Sequence, residues 1–218
     1  MERFFVLDKF NTWYDLKLII TAKEITPPEP KTNYVEIDGA NGSIDLSESL
    51  TGEVVYKDRT ITASFWTDAG NRNDREKLMR KIVAALHGKK VKIIDPDDMD
   101  HYFYGRIAIK NINNIIPYMT FDIEATCEPW RYSNEIMTRT IDVSDGETIS
   151  AVIRNNGVKS LCPEITVSGN VTIGYNGLET ELSDGLYKVS SIKLRQGVNV
   201  ITVSGTGSVT FTYREADL

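Results

Sequence analysis

The side chains in this sequence that could carry chemistry are few, beginning with its two histidines, His87 and His101. Nucleophilic catalysis of the Ser-His type needs an imidazole beside an activated hydroxyl. His87 falls in the last turn of an amphipathic segment, where a helix dipole favours a cation or a polar ring, so a capping role takes precedence over catalysis. No GxSxG elbow, GxGxxG fingerprint or GxxxxGK[ST] phosphate loop occurs. The densest constellation is DPDDMDH, residues 95–101, with four carboxylates and a histidine that could gather round a divalent cation. Met99 and Tyr102 stand where a calcium loop needs ligands, so the run reads as a solvated turn between two strands.

Cys127 and Cys162 lie in separate segments without CxxC spacing, which gives neither a zinc site nor a disulfide framework; both read as buried, reduced thiols. The 31 acids offer no pair with the distinctive context of a glycosidase. Sugar binding wants exposed aromatic platforms, and the C-terminal half supplies only Tyr175, Tyr187, Phe211 and Tyr213, of which the last two alternate within one strand as core residues do. Trp13, Trp66 and Trp130 fall in the N-terminal half, as core or subunit-interface residues. No catalytic, cofactor-binding or metal-binding residue is expected, and no cofactor.

The elements that carry these residues are mainly strands. MTFDIEATC puts Met119, Phe121, Ile123, Ala125 and Cys127 on one face and polar residues on the other, as an antiparallel sheet wet on one side requires. Shorter alternation predicts strands over Tyr14 to Ile20, Arg59 to Trp66 and Tyr102 to Ile109. NDREKLMRKIVAALHG departs from this pattern: Leu78, Met79, Ile82, Val83 and Leu86 recur at helical spacing, with Asn73 as N-cap, Glu76 completing a capping box and Gly88 as the stop. Three prolines in ITPPEPK and the glycines of DGANG make residues 25–56 an extended excursion off a barrel. Beyond residue 133 the chain turns to Ser, Thr, Val, Ile and Gly, with turns predicted at GN, YNG, RQG and SGTG, as in a β-sandwich. Residues 133–148, ending in SDGE, read as an exposed, protease-sensitive connection.

Length and charge bound the function. A chain of 218 residues exceeds the usual single domain, so two are expected, 1–132 and 133–218. A net charge of −6 with no basic run beyond Lys89, Lys90 and Lys92 speaks against nucleic acid as partner. Asp8, Lys9, Asp15 and Lys17 interrupt the apolar start, so neither a signal peptide nor a membrane span is expected.

A strand with WYDL, a PPEPK loop, a DGANGSIDL turn, the YKDRTI strand, the amphipathic helix, DPDD before YFYGR, and FDIEATCEPWRY at the close follow in an order that resembles the distal tail proteins of siphophages and prophages of Gram-positive bacteria. The resemblance covers about residues 1–132, and LRQGVNVITVSGTGSVTFTYRE is similar to the strand pair that ends many such proteins. It implies an N-terminal β-barrel or sandwich with one helix that forms a hexameric ring, and a peripheral galectin-like or jelly-roll-like β-sandwich. The implied role is structural: a virion hub at the tail tip, assembled in the host cytoplasm, joining the tail tube protein to the tail-tip or baseplate protein. A carbohydrate-binding adsorption protein that recognises host cell-wall polysaccharide is the rival expectation.

Overall fold

The structure, a computed structural model, describes residues 4–39, 41–144 and 146–218. They form two compact units that divide after Arg131, with Leu218 belonging to the first. The first contains β1 (Val6–Leu7), β2 (Phe10–Asn11), β3 (Ile19–Ile25), β4 (Tyr34–Glu36), β5 (Ser43–Asp45), β6 (Arg59–Thr67), α1 (Arg72–Leu86), β7 (Lys90–Asp95), β8 (Asp98–Asn114) and β9 (Met119–Cys127). Seven of these strands make an antiparallel sheet in the order β2-β1-β7-β8-β9-β6-β3. The sheet curls: Phe5, beside the β1 edge, packs edge-on against Phe65 of β6, with ring centroids 6.2 Å apart. Met119, Phe121, Ile123, Ala125 and Cys127 are all buried inside the curl, as the alternation of β9 predicts.

Helix α1 contributes Met79, Ile82 and Leu86 to the same core, with Leu78 and Val83 packed at its edge. Full burial of such a side chain contributes roughly 1.5 to 3 kcal/mol before entropy is subtracted. The N-cap is Asn71, not Asn73: its side chain accepts from the backbone of Asn73 and Asp74, and Asp74 reciprocates, so the capping box is Asn71/Asp74 rather than Asn73/Glu76. Glu76 is drawn away to Asn114 instead, at 2.7 Å. Gly88 ends the helix as expected, with φ of 75°. The strand expected over Tyr14 to Ile20 begins only at Ile19. Asn11 accepts from the amides of Trp13 and Tyr14, and Asp15 accepts from that of Asn11, which closes a turn before the strand can start.

The second unit holds most of β10 (Arg131–Ser133), then β11 (Met137–Val143), β12 (Thr148–Asn155), β13 (Glu164–Tyr175), β14 (Leu178–Leu182), β15 (Gly185–Tyr187), β16 (Gly197–Tyr213) and β17 (Ala216–Asp217). The 17-residue β16 is the spine. Its first half pairs with β12, its second half with β11, and β13 lies along the other edge. The buried faces of all four strands share one core.

Two of the turns expected here are not turns. GN and SGTG lie inside β13 and β16, where Gly169 pairs with Gly207 and Val171 with Gly205. A Cβ on Gly207 would stand 2.0 Å from the Ser168 carbonyl oxygen, and one on Gly169 2.2 Å from that of Thr206. The glycines let two long strands bend together at close approach without reversing. YNG does turn, as the Tyr175–Leu178 hairpin. Residues 133–148 are not an open connection either, because β11 pairs with β16 along its whole length; Asp145 of SDGE lies outside the described residues.

Candidate assembly surfaces

The acidic turn is a brace. Asp95 ends β7 and Asp98 begins β8, and the turn between them is held by bases of the same unit. Lys23 of β3 bonds Asp95 and lies 2.7 Å from Asp97. Asp98 is bracketed by His101 at 2.8 Å and Arg131 at 3.0 Å. Burial lowers the Lys23 pKa, but the hydrogen bonds and charges of the two aspartates outweigh it, so the net shift is upward. Among the described residues no three His, Cys, Asp or Glu side chains gather at metal-ligating distance.

The histidines serve the backbone and this brace. The amide of His87 donates to Val83 at the helix end, and its ring Nδ1 accepts from the amide of Ile109 at 3.0 Å. That nitrogen acts as an acceptor, so the ring clasps α1 to β8. Cys127 is buried and its thiol is pushed up to about 12 by desolvation, whereas Cys162 is only partly buried, unlike the expectation for it.

Arg59, opposite Cys127 at the start of β6, is an unexpected buried cation. Its guanidinium lies 5.1 Å over the Phe103 ring, and its Nε and Nη2 have no hydrogen-bond partner. Burial, then the charge of Arg131, lowers its pKa.

Besides single exposed side chains such as Tyr14 and Met99, the described residues of the first unit leave two apolar surfaces uncovered, at the two ends of β6. At the Arg59 end the chain leaves the sheet as an arm, residues 26–58, rooted where Thr26 donates to Thr60, Lys57 to Glu29 and Lys31 to Val55. Beyond this root, β4 and β5 pair as a two-stranded ribbon, Tyr34 with Asp45, Val35 with Ile44 and Glu36 with Ser43. The connecting DGANG is described except for Ala40. Alternation puts Val35, Ile37, Ile44 and Leu46 on one face and Tyr34, Glu36 and Asp45 on the other. The aliphatic face is bare: Val35 is 41% exposed and Ile44 50%. The ribbon is also acidic, with five carboxylates and no Lys or Arg from residue 32 to 56. Hydrogen bonds from the Ser47 hydroxyl and amide hold Asp45 below the ordinary carboxylate range. An isolated two-stranded ribbon is marginal in water, so an exposed apolar face on one makes the arm a candidate contact surface.

At the Thr67 end, the last residues of β8 and the β8–β9 connection present Ile112, Ile115 and Ile116, the last 82% exposed, with Tyr118 edge-on to Trp66. Asn114 ties this tip to the helix, accepting from Arg75 at 3.0 Å and donating to Glu76. The tip therefore continues into the outer face of α1, where Lys77, Arg80 and Lys81 are exposed.

In the second unit, the residues weighed for sugar recognition are not platforms. Tyr175, Phe211 and Tyr213 are buried, and Tyr187 is partly so. The Tyr175 hydroxyl is spent on Lys193 and Asn199, at 2.7 and 2.8 Å. The open depressions beside them are lined by groups such as Asn170, Thr172 and Glu181, or Leu178, Val200 and Thr202.

Residues 12–127, more than half of the chain, match the phage tail protein RIFT-related domain. The chain belongs to this phage tail protein family. No curated protein sequence matches this tail protein. Among solved structures it is similar to the Dit protein (gp 19.1) of phage SPP1, a protein described as a paradigm of the hub adsorption apparatus in phages that infect Gram-positive bacteria. Identity is 13% and the TM-score 0.72, over 98% of this chain and 99% of that one, so the likeness is one of fold and runs through both units. The mainly β architecture with one helix is the expected one. The exposed apolar surfaces were legible only in part. The arm was marked by its prolines, while its bare face is written in the alternation of Val35 with Ile37 and of Ile44 with Leu46. The run INNIIPYM was the unused signal for the tip.

Proposed function

We propose that this phage tail protein is the distal tail hub: a structural subunit that assembles with copies of itself into a closed ring, hexameric in the simplest reading, between the tail tube and the host-binding tip. The observation that carries this is the likeness to a hub protein through both units and nearly the whole of each chain. The fold supports it physically. A closed ring needs two different, complementary faces on each subunit. The first unit has two exposed apolar surfaces, the arm and the β8–β9 tip, at opposite ends of β6. The acidic cluster that could have held a cation is engaged in bracing, which fits a scaffold and not an enzyme. Assembly in the host cytoplasm follows from that role, as does docking to tube and tip proteins.

The direct test is electron microscopy of the purified protein and of tails made with and without it. Rings of sixfold symmetry, and tails that lack their tip complex when the protein is absent, are the expected results. Tails that assemble and adsorb normally without it would remove the hub reading.

A further inference from the structure

We infer that the arm of one copy seats on the β8–β9 tip and the adjoining outer face of α1 of the next copy, as an acidic apolar ribbon on a basic apolar shelf. The inference rests on the ring-subunit reading above and names the contact that builds the ring. Three observations point the same way.

The first is apolar complementarity. The ribbon shows Val35, Ile37, Ile44 and Leu46 to solvent, and the tip shows Ile112, Ile115 and Ile116. Neither patch is covered in the single chain, and burying each against the other removes both from water.

The second is charge. The net −6 of the chain is unevenly spread, since residues 32–56 contain only acids among their charged groups. Helix α1 has five Arg and Lys against Asp74 and Glu76. Asp74 is in the capping box and lies 3.8 Å from Lys77, and Glu76 bonds Asn114. The exposed Lys77, Arg80 and Lys81 lie within one helical turn of one another and outnumber the two acids, so this face carries a net positive charge. Charges at the rim of such a contact steer the encounter and fix its orientation, while the aliphatic residues anchor it.

The third is reach. The arm departs at Arg59 and the tip lies beside Trp66, so the nine residues of β6, about 27 Å at ~3.4 Å per residue, separate them within one copy. Both patches are bare in the single chain, so an arm that meets a shelf does so on a neighbour. This is a heterologous contact, which propagates from copy to copy and closes when its rotation permits.

Heterologous contacts have a diagnostic behaviour in mixtures. Ile44→Asp breaks the arm and leaves the shelf; Ile116→Asp breaks the shelf and leaves the arm. Both residues are exposed, so each full-length variant should keep the wild-type circular dichroism and urea midpoint. By sedimentation velocity and mass photometry, each variant alone should be monomeric where the wild type assembles. Mixed together, they should form dimers and nothing larger, because one intact arm meets one intact shelf. Arg80→Glu with Lys81→Glu should weaken assembly about tenfold at low salt, with the effect shrinking as salt screens it.

Assembly that survives Ile116→Asp but not Ile44→Asp would overturn the inference and give the arm another seat. So would a mixture that stays monomeric. A wild-type protein that remains monomeric at every concentration also overturns it. If that monomer is still found at the tail end in purified particles, the hub reading stands and the arm belongs to a tube or tip protein; if it is absent from particles, the hub reading fails separately.

Discussion

Lys23 of β3 bonds Asp95 of β7, although β9, β8 and β6 lie between those two strands in the sheet order. The pair spans the open side of the curl and, through Asp97 at 2.7 Å, fixes the acidic turn to the far edge of the same sheet. Asp95 is itself buried. Lys23→Met leaves that carboxylate without its cation and should cost on the order of 2 kcal/mol, read as a lower urea midpoint. The raised pKa of Lys23 sets the pH dependence. Its contribution is fully present below the unfolded lysine value near 10.5 and is lost as pH rises through the higher folded value. Equal midpoints for variant and wild type at neutral pH would show that the brace is ornamental.

The two thiols should behave differently. Cys127, buried and pushed up to about 12, has almost no thiolate at pH 8, whereas Cys162 is partly open. A thiol reagent at pH 8 should label one cysteine per native chain and two after unfolding, with peptide mapping placing the native label on Cys162. Rapid labelling of Cys127 would mean that the first core opens far more readily than its packing implies.

The histidine substitutions should separate clasp from catalyst. His87→Ala removes the acceptor for the Ile109 amide and should lower stability by about 1 kcal/mol. His101→Ala leaves Asp98 with Arg131 and should cost less. Particle assembly and infectivity should survive both; loss of infectivity in properly assembled virions would require a chemical role for one of the rings.

Protease should cut the arm before the segment 133–148. Leu50 is 98% exposed, in the turn that follows β5, whereas β11 is held by seven paired positions on β16. Limited digestion should first release a short N-terminal fragment ending near residue 50. Early cleavage between Met137 and Val143 would contradict the pairing.

Gly207→Val should unfold the second unit. Its φ of 138° is open to glycine alone, and the new Cβ would collide with the Ser168 carbonyl. The expected cost exceeds about 3 kcal/mol, combining strain with a broken ladder. Loss of the dispersed resonances of residues 132–217, with those of β6 and β9 retained, would be the signature in a residue-resolved spectrum.

Much of this architecture is written locally. Strand β9 shows its buried face in strict alternation, α1 shows its stripe at helical spacing, and the prolines of ITPPEPK mark where the chain leaves the sheet. Such features depend on near neighbours, so a linear reading recovers them. The order of the segments was likewise enough to carry the resemblance to distal tail proteins. Other features depend on what stands opposite. A glycine between polar residues signals a turn, and only the facing glycines of β13 and β16 made GN and SGTG into bends. Asn73 reads as the cap from its spacing to Glu76, but Asn71 caps the helix with Asp74, and Glu76 bonds Asn114 across the fold. DPDDMDH could have held a cation until Lys23 and Arg131 came from 72 and 33 residues away to bind its carboxylates, with its own His101 turned onto Asp98. The sequence by itself determined which residues form strands, helix and arm, because periodicity and backbone chemistry act over a few residues. Only the tertiary structure decided which charges are spent and which apolar faces stay bare, because both depend on partners that folding brings together across the sheet.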